Sequence, residues 1–515
     1  MAGQIKMGPI LGFRGAEGGK WQTSALIVTQ GDNTEPQLKF GAKETQASVT
    51  RLKSFGDGHV WRFEWEVDQT DKEQPVAYSI NGGAEFTYVV PAKDKPLRIA
   101  YGSCFGFSSL KYMNKVDDKN AMWSVLKSKH EDSRPEANKP YHLMMMGGDQ
   151  VYADAMWETV QLMKEWSDRS KKKRFKEPFT PEMERAVEKF YFDLYCQRWS
   201  QEVPAAVMRQ VPSLMMWDDH DIFDGWGSYP KDQHESAIYQ GIYRCAREHF
   251  RLFQLQAKDD NDLGTAMLLG ELGFTYAHRI GKVGILALDM RSERTYDRVM
   301  SPRTWEAVYA WMAQTFPKEP DSTKVTGEHL FVMSSIPVVY VNSNMLEDAF
   351  GLLPGQQDME DDFKDQWLSR THQEERLRFI HRLLLFSKES KCRVTIVSGD
   401  VHVAALGYIQ SNRDPQLDEA NVVNQLISSA MVHTPPQGLI VYMMEKVMGD
   451  KVEEVDRGIS AQMLKFPGTA RRFIGSRNWL SLTLDEQDRV WAEWYVEREN
   501  TPYTKVVHPV GAVSS

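Results

Sequence analysis

The chain has 515 residues, and 62 Lys+Arg against 71 Asp+Glu give a net charge of −9. With 42% hydrophobic and 26% charged residues it has a globular composition, not that of a disordered chain. The acidic balance speaks against a general nucleic-acid binder, and no apolar run approaches the ~18 residues that span a bilayer. The N-terminal run MAGQIKMGPILGFRG lacks an apolar core and a small-residue cleavage site, so no secretion signal is read and a cytoplasmic location is expected. Cys104, Cys196, Cys245 and Cys392 are too few for a disulfide scaffold.

The first ~95 residues read as all-β. Trp61, Phe63, Trp65 and Val67 alternate with Arg62, Glu64 and Glu66, the period of a half-buried strand. PVAYSI, Asn81-Gly82-Gly83 and AEFTYVV read as strand, tight turn and strand. Pro91 to Pro96 makes a plausible linker, which predicts a small β-sandwich over residues 1–95 and a larger domain over 96–515.

Beyond the linker, short apolar runs alternate with helical patterns. LRIAY precedes Gly102-Ser103-Cys104, HLMMM precedes Gly147-Gly148-Asp149, and SLMMW precedes Asp218-Asp219-His220. VGILAL precedes Asp289, and RVTIV precedes Ser398-Gly399-Asp400-Val401-His402. Each run suits a buried strand and is too short for a helix. Thr371 to Glu374 has capping-box spacing ahead of the amphipathic RLRFIHRLLLF, while LSLTL and RVWAEWYV read as a closing hairpin. The basic run Lys171–Arg174 reads as a solvated loop.

Ligands in α/β folds gather beyond the carboxyl ends of strands, so Asp149, Asp218 or Asp219, Asp400 and His402 are expected in one anionic pocket. Packed carboxylates repel, and a multivalent cation relieves that repulsion, so the cluster predicts metal. An Asp after a strand also caps the next helix, which accounts for Asp149 or Asp289 singly but not for three such motifs together.

These motifs resemble the alkaline phosphatase D (PhoD-like) metallophosphatases, in the family's order from about residue 97 to 408. The resemblance implies an α/β fold, a calcineurin-like β-sandwich flanked by helices, preceded by the small all-β domain in an immunoglobulin/fibronectin-like form. It also implies a ferric ion held by Cys104, Asp149, Tyr152 and Asp400, with one or two divalent ions beside it. Ca²⁺ is the first expectation; Mn²⁺, Mg²⁺ and Zn²⁺ are the others. Asp218 and His402 would complete the ligands, with Asp224 standing where the family often has an amide. The implied activity is hydrolysis of a small-molecule phosphate ester by metal-bound hydroxide. Arg291 is expected to pair with a phosphate oxygen, and His220 with Asp219 to orient substrate or protonate the leaving group. The alternatives are a phosphodiesterase or phospholipase D-like hydrolase using the same metals, and a non-catalytic binding protein that metals hold together. His433 reads as a loop residue.

Overall fold

A computed structural model describes residues 3–132, 140–170, 174–263, 272–321, 323–340, 367, 372–413, 421–448 and 450–511. Lys171 to Lys173 and the capping residue Thr371 lie outside them.

Two large mixed sheets dominate. The first has ten strands, in the order Tyr503–Val507, Val490–Val496, Asn478–Leu484, Arg98–Gly102, Leu143–Gly147, Ser213–Met216, Gln4–Gly15, Lys20–Gln30, Gly58–Asp68 and Ser48–Phe55. Its centre is parallel, with Leu143–Gly147 between Arg98–Gly102 and Ser213–Met216. The second sheet is built on the parallel strands Val283–Ala287, His329–Ser334, Arg393–Ser398 and Val422–Ile427. Antiparallel strands extend it on both sides.

Residue alternation explains how the second sheet is covered. Ile285, Ala287, Phe331, Met333 and Val397 join the core shared with the first sheet. Their neighbours Leu286, Leu330, Val332, Val394 and Ile396 join a second core. Helices Pro302–Thr315 and Gln373–Ser390 close that outer core with Trp305, Val308, Phe379 and Leu383. A strand with both faces buried reads as a continuous apolar run, which is why these segments stand out in the sequence. Cross-sheet hydrogen bonds tie the layers: Tyr276 Oη donates to the Met215 carbonyl at 2.9 Å, and Trp494 Nε1 to the Ile427 carbonyl at 2.8 Å.

The N-terminal segment differs from the expected independent sandwich. Its strands do form two layers: the four-stranded sheet with Gln74–Ile80 and Glu85–Val90 packs on Gly58–Asp68. Trp65 Nε1 donates to Tyr88 Oη at 2.8 Å, and the Trp65 ring lies 5.8 Å from that of Tyr78. One layer, however, is the edge of the ten-stranded sheet. Gln4–Gly15 pairs directly with Ser213–Met216, and Ser213 Oγ donates to the Leu11 carbonyl at 2.8 Å. Residue 95 therefore does not divide two separate sheets. Among the described residues, no helix is long and apolar enough to cross a membrane.

Candidate metal centre

The parallel strands of both sheets end on one side, and their connecting loops are tied together by backbone hydrogen bonds. Cys104 N–H donates to the Gly148 carbonyl at 3.1 Å, and Phe105 N–H to the Asp149 carbonyl at 2.9 Å. The Met431 and Val432 N–H groups donate to the Ser103 and Cys104 carbonyls, bringing the loop after Val422–Ile427 against the same wall. Cys104, Asp149, Asp400 and His402 have φ of +58°, +56°, +69° and +54°. Side-chain-bearing residues rarely adopt this region, and such strain collects where function demands a particular side-chain direction.

The side chains converge accordingly. Donor atoms of Asp149, Asp219 and His220 all lie within 4.8 Å of one another, as do those of Asp218, Asp219 and Asp400. Asp219 belongs to both groups. Tyr152 Oη donates to Asp149 Oδ2 at 3.2 Å, and the Tyr152 ring packs against Cys104. That ring stacks on His220 with centroids 4.4 Å apart. Gly106 is glycine for a steric reason: a Cβ there would stand 2.5 Å from the Tyr152 ring.

These anions are crowded and buried. Burial pushes the Asp149 carboxyl well above its usual range; His220 opposes this, while Asp218, Asp219 and Asp221 add to it. Burial and then Asp149 push up both the Cys104 thiol and the Tyr152 phenol. Asp149 Oδ1 is buried without a hydrogen-bond partner among the described residues. An anionic cage with an orphaned oxygen suits cations: carboxylates are hard donors for divalent ions, and thiolate with phenolate suits a trivalent one.

Arg291, Asp224 and His402 have contacts of their own around these groups. Arg291 is fully buried, and its guanidinium donates to Asp218 through Nε, to Asp219 Oδ1 at 3.4 Å and to the Trp226 carbonyl at 3.0 Å. The side chain expected to meet a phosphate oxygen here contacts two of the site's carboxylates. Asp224 is exposed, its N–H donates to Asp154 Oδ1 at 2.9 Å, and it lies outside both donor groups. His402 is half-buried, and its ring stacks on His433 at 4.0 Å. Asp289 acts structurally, accepting Trp217 Nε1 at 2.8 Å and the Phe274 N–H at 2.7 Å.

His433, rated a loop residue that could line the pocket, lies in a loop and is buried between His402 and Tyr152. Two contributors escaped the sequence reading. Asp154 accepts His220 Nδ1–H at 2.7 Å, which leaves Nε2 as that ring's other nitrogen. Asp221 ties two loops, accepting from the N–H groups of Asp149, Val151 and Asp218 and from Gln254 Nε2 at 2.9–3.1 Å. The spacing of Asp154 and Asp221 behind the metal-type motifs was their one local signal.

Fold and strand-end acids define an α/β protein with a candidate metal centre. The particular family follows: the chain matches the model for PhoD related phosphatase over residues 68–354 and 343–455, and it belongs to that family. It is similar to the uncharacterized protein YGR266W of Saccharomyces cerevisiae, 26% identical over 560 residues that cover 89% of this chain and 78% of that one. Among solved structures it is similar to PhoD, with a TM-score of 0.56, 12% identity and coverage of 98% of this chain and 90% of that one. It can also be superposed on the purple acid phosphatase PPD1 of yellow lupin (Lupinus luteus) seeds, with a TM-score of 0.49, 11% identity and coverage of 98% and 74%.

Proposed function

We propose that this protein hydrolyses phosphate esters at a centre of one Fe³⁺ and one or two divalent ions. The observation that carries the reading is the pair of donor groups, Asp149 with Asp219 and His220 and Asp218 with Asp219 and Asp400, which supports a site for more than one cation. Cys104, Tyr152 and Asp149 would hold the ferric ion; Asp218, Asp219 and Asp400 would hold a divalent one, Ca²⁺ before Mn²⁺, Mg²⁺ or Zn²⁺. When bound, such ions stabilise charge on a phosphoryl group and activate water.

The chain's own residues do the rest. Arg291 keeps Asp218 and Asp219 together by binding one oxygen of each. Asp154 fixes the His220 ring, so that Nε2 is available to hold a proton for the departing oxygen.

Three measurements test this. Elemental analysis of purified protein is expected to find iron with a divalent metal. Tyr152→Phe and Cys104→Ser are each expected to shift a visible charge-transfer band. Asp149→Asn is expected to remain folded and lose hydrolysis of p-nitrophenyl phosphate and bis-p-nitrophenyl phosphate at least a hundredfold, an order set by the loss of electrostatic stabilisation. The two substrates separate monoester from diester preference. A folded Asp149→Asn chain that hydrolyses both like wild type overturns the catalytic reading.

A further inference from the structure

A second, smaller cavity adjoins the strand-end loops, and its lining includes no member of either donor group. Its volume is about 40 Å³. A buried water needs about 10–15 Å³ of such room, so the space suits a small inorganic ion and is too small for a nucleotide or a lipid. Loops of the candidate centre contribute to its lining: Phe105 follows Cys104, Gln150 follows Asp149, and Val432 precedes His433.

The polar lining is cationic or neutral. Arg198 and Lys119 stand there with the amides of Asn120 and Gln201, and no Asp or Glu is among the described residues of the lining. Arg198 lies in the last turn of helix Pro181–Trp199, where the helix dipole favours a cation. That accounts for its charge but not for its surroundings. Its Nε is buried without a hydrogen-bond partner among the described residues, and burial lowers its pKa from the usual value. A partly desolvated charge is costly, and an anion offsets that cost.

Gln150 adds the complementary feature. Its Nε2 donates to the Met216 carbonyl at 2.8 Å and to Gln254 Oε1 at 2.9 Å, which fixes the amide. Its Oε1 is buried without a partner among the described residues. An amide oxygen repels a bare anion but accepts from one that carries a proton. Water alone would satisfy Gln150 and leave Arg198 without a counter-charge.

The geometry points to a site for inorganic phosphate in this cavity, apart from the metal centre. Arg198 and Lys119 meet the charged oxygens, and Gln150 Oε1 accepts the O–H of hydrogen phosphate. A guanidinium fork matches two phosphate oxygens at once. The inference does not depend on the metal-centre reading.

Calorimetric titration of the full-length chain with inorganic phosphate, at mildly alkaline pH where hydrogen phosphate prevails, tests this. Asp149→Asn is measured beside wild type, because phosphate at a metal centre depends on Asp149 and phosphate in the cavity does not. One binding event is expected to survive Asp149→Asn. Arg198→Gln is expected to weaken that event about ten- to a hundredfold, the value of a hydrogen bond to a charged group. Lys119 is exposed, so Lys119→Gln leaves the core intact, and it is expected to weaken the event several-fold. Sulfate has the charge without the O–H and is expected to bind roughly tenfold more weakly. Phenylphosphonate, too large for the cavity, is expected not to compete. Sulfate bound as tightly as phosphate overturns the part assigned to Gln150, and competition by phenylphosphonate overturns the restriction to the free ion. Phosphate binding that vanishes with Asp149→Asn, or that both cation variants leave unchanged, overturns the site.

Discussion

Arg291 illustrates how a residue's neighbours decide its work. A guanidinium at a strand end is well suited to a phosphate, yet this one is enclosed and donates to Asp218, Asp219 and a carbonyl. Removing it leaves two buried carboxylates without their counter-charge. Arg291→Ala is expected to lower stability by about 3–5 kcal/mol in urea unfolding. Added Ca²⁺ or Mn²⁺ is expected to restore part of that loss, because a cation supplies the missing charge. Arg291→Lys is expected to restore less than wild-type stability, since an ammonium cannot reproduce the planar fork. An Arg291→Ala chain as stable as wild type would contradict this role.

At the level of elements, the site is a set of loops whose spacing is set by a few buried acceptors. Asp221 accepts four hydrogen bonds from two strand-end loops and Gln254. Asp221→Ala leaves these donors without a partner in a buried place, at about 1–3 kcal/mol for each one left unsatisfied. It is expected to lower the melting temperature and to weaken metal retention together, since Asp149 and Asp218 lose their common anchor. Asp221→Asn tests whether the carboxylate itself is needed: an amide nitrogen facing an N–H donor cannot accept, so it is expected to fall between alanine and wild type. Calorimetry and chelator titration on the three chains check the order.

Across the whole molecule, the ten-stranded sheet joins the N-terminal segment to the strands that carry the candidate site. Residues 96–515 alone are expected not to give a cooperative melt, because Ser213–Met216 would lose its neighbour Gln4–Gly15 and become an exposed apolar edge. Circular dichroism of that fragment checks this. Buried histidines add a pH dependence. Burial brings His130, His142, His249 and His329 down from the usual 6.5 to about 4. Above pH 6.5 each is neutral in both folded and unfolded chains. Between 6.5 and about 4 the unfolded chain takes up protons that the folded one refuses, so the stability these groups contribute is lost as pH falls through that window. Melting temperatures are expected to drop steadily from pH 6.5 to 4; a flat profile there would contradict the burial of these rings as neutral groups.

Strand positions and acidic strand ends were legible in the sequence because both are local signals: a buried strand needs a short apolar run, and a turn into a pocket needs Gly and Asp. The runs before Cys104, Asp149, Asp218, Asp289 and Asp400 all correspond to strands. The tertiary structure alone decided that Gln4–Gly15 pairs with Ser213, that Arg291 faces carboxylates and not solvent, that Asp224 stays outside, and that His433 enters the pocket. The physical reason is the same in each case. Periodicity records which face of an element is buried, whereas partners and side-chain direction depend on groups brought together from hundreds of residues away.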